Sequence, residues 1–316
     1  MEKRIWMTRK HEKLLQEAIN GDIRFNVALS DITTYKIGGP AQMLLETADA
    51  NDIAAAVRIC ARYKIPLTVL GAGSNVLAPD SGIEGLVLRI YSDQLLPTLH
   101  REFIESNAAT TDENLALFAS AHNIPGFEFI YDVPGTVGGA IMQNVGANDH
   151  QIKDFLIDVT YIDKTGGIVT KPVHELGMGY RTSLFKEEWG LVLSARFKRG
   201  SNEESKIIRA RMEEMRKTRR SKFPMEYPNC GSVFKRPPGD YAGRLIQEAG
   251  LSGFKIGHAM VSPRHRGFIV NMGGAGADEV KAVATHVQAI VWDKFSVQLE
   301  RELVYLSKKP GPPPNL

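Results

Sequence analysis

Two glycine-rich stretches constrain this chain more than any other feature. The longer is Val133-Pro134-Gly135-Thr136-Val137-Gly138-Gly139-Ala140-Ile141-Met142-Gln143-Asn144-Val145-Gly146-Ala147. The shorter, upstream, is Gly71-Ala72-Gly73-Ser74-Asn75-Val76-Leu77. Glycine lacks Cβ, so its backbone reaches positive φ and tolerates close approach. Successive inward N–H groups then form a nest for an anion, and diphosphate is the usual guest. A helix start after such a loop would add its dipole. Either loop alone reads equally well as a tight structural turn. The pair tips the reading towards a phosphate-bearing ligand.

The shorter loop follows the strand Pro66–Leu70 but leads into the extended Val76–Leu77 and a turn at Pro79-Asp80. A dinucleotide fold of the doubly wound kind needs a helix directly after its glycines. That reading fails on context. A loop laying phosphate-binding backbone between strands fits better.

The rest of the pattern is α+β. Asp49–Tyr63 is an amphipathic helix, with Ile53, Ala56, Val57 and Cys60 at helical spacing. Strands are expected at 42–46, 86–90, 103–105, 154–163, 168–171 and 190–198, a short helix at 114–122, and a hairpin turn at Lys164–Gly167. Helices are expected at 203–220, 241–249 and 277–295. Val297–Tyr305 reads as the last strand and the proline-rich 308–316 as a disordered tail. With 316 residues, more than one domain is expected. The divisions are a lead-in at 1–20, a first lobe at 21–85, a second at 86–200, a C-terminal domain at 201–307 and the tail.

The composition, 43% hydrophobic and 24% charged, is that of a soluble globular protein. No apolar run approaches the ~20 residues of a membrane span, and Met1–Trp6 lacks a signal-peptide core. Two cysteines, Cys60 and Cys230, exclude a disulfide scaffold and point to the cytoplasm. The expected helix at 203–220 and its C-terminal flank carry Arg209, Arg211, Arg216, Lys217, Arg219, Arg220 and Lys222. Most of these are read as a solvated face. Without interleaved aromatics, the segment suits a small anion better than nucleic acid.

Eight segments occur in one family's order: 35–41, 70–77, 134–147, 179–186, 231–235, 242–250, 268–271 and 299–303. Together they resemble the UDP-N-acetylenolpyruvoylglucosamine reductase (MurB) family of peptidoglycan synthesis, in its shorter, type II branch. The resemblance implies a two-lobed FAD-binding domain of the vanillyl-alcohol-oxidase type followed by an α+β substrate-binding domain. It implies an oxidoreductase in which NADPH reduces non-covalently bound FAD, and reduced FAD reduces the enolpyruvyl ether to UDP-N-acetylmuramate.

By the same resemblance, Arg181 holds the enolpyruvyl carboxylate, Glu302 assists there, and Ser232 is the general acid to carbon. Lys222 holds the nucleotide diphosphate, with Lys235 and Arg236 beside the substrate. The implied flavin site runs through Tyr35, Ile37 and Gly38, then Gly71, Ala72, Gly73, Ser74, Asn75 and Val76, then Pro134, Gly135, Thr136, Gly138, Gly139, Asn144, Gly146 and Ala147. No metal is implied. Departures from the family pattern are Asn107-Ala108-Ala109, Asp132, Asn148-Asp149, Arg236 and His258.

Two alternatives stand beside this reading. One is a flavin-dependent sugar or alcohol oxidase or dehydrogenase on the same fold. The other is a nucleotide-sugar-binding relative that has lost flavin. Cys230 is a rival proton donor to Ser232. Period-two alternation puts Glu300 and Glu302 on one strand face and cannot choose between them. The chain is expected to be a monomer, with no membrane or nucleic-acid partner.

Overall fold

The computed structural model describes residues 9–314. Residues 1–8 of the lead-in, Met1–Trp6 among them, and the last two residues of the tail lie outside the described residues. The lead-in contributes the helix Arg9–Ala18, which buries Leu15.

The first lobe is a four-stranded sheet in the order Ile23–Ala28, Pro40–Thr47, Ile83–Ile90, Leu67–Leu70. Its last three strands run parallel. Parallel neighbours need a crossover, which the helix Ala50–Tyr63 supplies. Asp49 caps that helix by accepting from the amides of Asn51 and Asp52, and Lys64 closes it in the left-handed region. Ile53, Ala56, Val57 and Cys60 are buried on its inner face, so Cys60 is packed core. Ile83–Ile90 lies in the middle of this sheet. The division at 85/86 therefore moves to after Ile90.

The second lobe is a five-stranded antiparallel sheet: Ile168–Pro172, Leu156–Ile162, Leu191–Lys198, Phe103–Asn107, Thr98–Leu99. One hydrophobic core joins it to the first lobe and includes Ile208 and Met212 of the helix Ser205–Lys222. That helix packs on the second lobe, so the division at 200/201 is displaced to its far end.

Its basic side chains are largely partnered. Arg211 binds Glu128 and Glu203, Arg216 binds Tyr131 and Glu213, and Arg220 binds Asp132. The expected solvated face is in good part a row of ion pairs to the lobe. Asp132, a departure from the family pattern, is one of their acceptors.

The C-terminal domain packs the helices Ala242–Glu248 and Ala277–Phe295 with the small sheet Lys255–Ile256, Ala259–Val261, Ile269–Asn271. Tyr35 and Ile37 of the first lobe belong to this core, at 0% and 2% exposure. The Tyr35 hydroxyl donates to the Ile269 carbonyl at 2.7 Å, and Asn271 donates back to the Tyr35 carbonyl.

The expected last strand contracts to Val304–Tyr305, which pairs in parallel with Val76–Leu77 directly after the shorter glycine loop. The segment before it makes only a bridge from Arg301 to Phe234. The proline-rich tail is tied down: Lys308 and Gly311 accept from the amides of Glu84 and Leu67 on the first lobe. Those sheet amides need acceptors, and proline constrains the strap without removing its carbonyls.

Candidate active site

The two glycine loops touch. A Cβ on Gly71 would come within 2.4 Å of the Thr136 hydroxyl oxygen. Gly73 has φ +66 and its own Cβ would strike the Ile32 carbonyl, so glycine is required there on both counts. Among the described residues, the amides of Ala72, Gly73, Ser74 and Asn75 donate to no protein acceptor. Four free amides on a glycine turn fit a diphosphate.

The longer loop differs. Val137 and Gly138 donate to the carbonyls of Thr110 and Ala108, and Gly139 donates to the Thr136 hydroxyl, which caps the short helix Val137–Gln143. A diphosphate resting on all of 134–139 is therefore corrected: Gly135 and Thr136 hold that loop's uncommitted amides. An added Cβ at Gly138 would crowd Ala108, whose own Cβ would lie 3.1 Å away. Glycine at 135 is needed against Asp112, whose carboxylate oxygen would lie 2.1 Å away.

Other expected flavin contacts are also reassigned. Tyr35 and Ile37 are sealed in the C-terminal core, and a Cβ on Gly38 would strike Ala78 at 2.6 Å. Their turn acts from behind, where the Thr34 amide donates to the Gly73 carbonyl. Asn144 is fully buried and donates to the Gly179 carbonyl at 2.7 Å. Ala147 and His150 flank a two-residue hairpin whose Asn148 and Asp149 both have positive φ, the backbone that Asn and Asp tolerate. Asn107 ties its strand end to Ala48 and Ala109. These departures thus have local structural roles.

Arg181 stands in a tight turn, with Gly179 and Thr182 exchanging backbone hydrogen bonds around it. Its φ is +55, unusual for a residue with a side chain, and three neighbours hold it there. Asn144 grips Gly179, Lys186 Nζ donates to the Arg181 carbonyl at 2.8 Å, and Arg181 Nη2 donates to the Gly146 carbonyl at 3.2 Å.

Arg181 Nε then donates to Glu302 Oε1 at 2.7 Å, with both side chains mostly covered. Burial raises the Glu302 pKa, and Arg181, Lys186 and Lys235 pull it back only in part. Glu300, two residues away, is 70% exposed and pairs with Lys235 at 3.0 Å. The two glutamates separate because the segment is not a regular strand.

Ser232 follows Gly231, which has φ +80. The next residue, Val233, accepts from the Glu302 amide at 2.8 Å and donates to the Gly267 carbonyl. Backbone bonds thus bring the segment that carries Ser232 against the segment that carries Glu302. An added Cβ at Gly267 would meet Ser232 Oγ at 3.7 Å and His265 Cε1 at 3.1 Å, so these two side chains share one space. His265 Nδ1 is buried without a hydrogen-bond partner among the described residues, and burial lowers the His265 pKa. Cys230 is buried against Tyr35, and burial raises its thiol pKa far above the ordinary value. The rival donor therefore faces the interdomain core.

At the rim, the Arg236 amide donates to the Tyr180 hydroxyl at 3.0 Å and its guanidinium stacks on Tyr241. Lys222 is exposed, and beside it Arg219 stacks on Phe223 with its buried Nε unpartnered. Sequence reasoning passed over Lys186, His265 and Tyr180 as site residues. The first and last lie within the quoted segment 179–186, which was the only signal for them.

The free amides of the shorter glycine loop, which touches the second lobe at Thr136 and is tied by Asn75 to the mostly covered Arg181–Glu302 pair, suit a flavin-binding oxidoreductase. Residues 41–171 match the FAD binding domain family. Residues 223–306 match the UDP-N-acetylenolpyruvoylglucosamine reductase C-terminal domain, beginning where the basic helix ends. The Listeria monocytogenes (strain HCC23) UDP-N-acetylenolpyruvoylglucosamine reductase is 40% identical over 281 residues, covering 89% of this chain and 94% of that protein. The enzyme of that name from Caldanaerobacter subterraneus is 36% identical over 300 residues, covering 94% and 98%. The crystal structure of UDP-N-acetylenolpyruvylglucosamine reductase (MurB) from Thermus caldophilus superposes with TM-score 0.75 at 30% identity, covering 91% of this chain and all of that one. The chain belongs to the UDP-N-acetylenolpyruvoylglucosamine reductase family.

Proposed function

We propose that this chain reduces the enolpyruvyl group of UDP-N-acetylenolpyruvoylglucosamine, with NADPH as reductant and Arg181, Glu302 and Ser232 as the catalytic residues. The observation that carries the assignment of roles is the Arg181–Glu302 pair against the segment that carries Ser232. An oxidase acting on an alcohol needs a base for the hydroxyl proton while hydride leaves the carbon. This site instead offers a cation, a carboxyl with a raised pKa and a hydroxyl.

FAD fits the free amides of Ala72–Asn75, with Gly135 and Thr136 opposite, and supplies the hydride carrier between NADPH and substrate. The protein's own task is the carboxylate end of the substrate. Hydride arriving at the terminal carbon leaves an enolate-like charge shared with the adjacent carboxylate. Arg181 uses Nε on Glu302 and one Nη2 hydrogen on Gly146, so Nη1 and the other Nη2 hydrogen remain for a two-point grip on that carboxylate. Two carboxylates side by side repel unless a proton or cation lies between them. Glu302, already raised by burial, takes the proton as the substrate arrives. The Ser232 hydroxyl then gives its proton to the carbon next to the carboxylate. Lys235 is held by Glu300 at the rim, while His265, whose ring packs on Phe223 and Phe268, shares the Ser232 space as a polar neighbour.

Lys222 is read as a diphosphate contact and Arg236 as a nucleotide contact at the rim. We place the enzyme in the cytoplasm, a reading supported by the free Cys60 and Cys230. We read it as a monomer because one chain supplies every proposed catalytic group. The activity lies in peptidoglycan precursor synthesis, and through it in cell shape and division. Anaerobic mixing tests the reading: NADPH should bleach the flavin absorbance, and the enolpyruvyl compound should restore it. Bleaching by an alcohol or sugar in place of NADPH, with no recovery when the enolpyruvyl compound is added, would move the chain to another reaction.

A further inference from the structure

Three cations gather around Glu302, and one of them lacks a carboxylate. Arg181 pairs with Glu302, and Lys235 pairs with Glu300. Lys186, the third, binds only the Arg181 carbonyl, at 2.8 Å, and has no carboxylate partner among the described residues. Three positive charges against two negative leave the cluster one positive charge in surplus.

The placement of Lys186 is built into the fold. It lies on the short helix Leu184–Glu187, which is anchored by the buried Phe185. The preceding residue, Ser183, is 1% exposed and donates to the Met142 carbonyl at 2.7 Å. This helix therefore hangs from the end of Val137–Gln143, the helix that follows the longer glycine loop. An ammonium has three donors, and the Arg181 carbonyl takes one. Partial burial, then the like charges of Lys235 and Arg181, depress the Lys186 pKa, while Glu302 opposes them. A cation so placed gains from an incoming anion.

We infer that Lys186 is a second cation of the carboxylate subsite, binding the enolpyruvyl carboxylate together with Arg181 while its bond to the Arg181 carbonyl fixes the turn. The inference rests on the proposed reaction and adds to it a residue that selects substrate by charge. Lysine suits this place because it meets the carboxylate as a compact point charge, leaving the planar two-point grip to Arg181.

The test uses oxidised, flavin-loaded enzyme without NADPH, so that nothing turns over. Calorimetry compares two ligands: UDP-N-acetylglucosamine, which lacks the carboxylate, and UDP-N-acetylenolpyruvoylglucosamine, which carries it. Lys186→Gln should weaken the second by about tenfold and leave the first unchanged, the scale of one charge-assisted hydrogen bond. Lys186→Met, which keeps the aliphatic stem, should give the same pattern, and Lys186→Arg should retain most of the affinity. Equal weakening of both ligands, or no change in either, overturns the inference. A wild-type enzyme that does not prefer the carboxylate-bearing ligand overturns the proposed reaction itself.

Discussion

Arg181 Nε stands 2.7 Å from Glu302 Oε1 and joins residues 121 positions apart in sequence. The arginine comes from a turn of the second lobe and the glutamate from the last segment of the C-terminal domain. Asn75 Nδ2 also donates to the Glu302 carbonyl at 3.3 Å. The same glutamate is thereby tied to the glycine loop proposed for the diphosphate.

Glu302→Gln should slow reoxidation of the flavin by the enolpyruvyl substrate by about 10²-fold or more, on the scale of removing a group that handles the transition-state charge. Flavin reduction by NADPH should survive. Glu300→Gln should stay near wild type, because Glu300 is exposed and its pair with Lys235 lies at the surface. Stopped-flow absorbance of the two half-reactions separates these outcomes. A severe Glu300 defect beside an active Glu302 variant would reverse the assignment.

Gly71→Ala should lose flavin, because the new methyl would displace Thr136 and spread the two loops. Gly138→Val should also lose it, by forcing the helix Val137–Gln143 away from Ala108. Flavin absorbance per polypeptide after gel filtration measures both. Full flavin content in both variants would show that the loops do not form one site.

Lys222→Ala should raise KM for the nucleotide sugar with little change in kcat, the pattern of binding lost equally from ground and transition states. Lys222 is exposed with no ion pair among the described residues, unlike Arg211, Arg216 and Arg220 on the same helix. Steady-state kinetics decides it, and a kcat defect at constant KM would contradict the role.

Asp112 is 1% exposed, its Oδ1 has no hydrogen-bond partner among the described residues, and burial pushes its carboxyl up to about 7. A raised carboxyl favours the folded state while protonated, so its stability contribution is full below pH ~4, the unfolded value. It declines as pH rises and is gone above about 7. Asp112→Asn should therefore gain on wild type as pH rises from 4 to 8, by roughly a few kcal/mol. Urea unfolding of the flavin-loaded protein across that range measures the difference. A difference that does not vary with pH would mean that Asp112 is ionised throughout.

Much of this architecture was legible in local sequence. The helix at 49–63 announced itself by spacing, and the glycine loops by composition. What stayed hidden was long-range. Nothing near Tyr35 says that its hydroxyl meets Ile269 across the domain boundary. Nothing in Gly138 says that its close neighbour is Ala108. Strand periodicity placed Glu300 and Glu302 together, and a segment with only one bridge separated them. The proline-rich tail looked unstructured because proline lacks a donor, yet its carbonyls serve the first lobe.

Ser232→Ala in a two-step anaerobic experiment tests the central claim most directly. NADPH should bleach the variant's flavin at close to the wild-type rate, since carbon protonation plays no part in that step. Addition of the enolpyruvyl substrate should then restore the flavin absorbance at least about 10²-fold more slowly than in wild type. Reoxidation at the wild-type rate would contradict the assignment of the proton to Ser232, and with it the chemistry derived from the Arg181–Glu302 site.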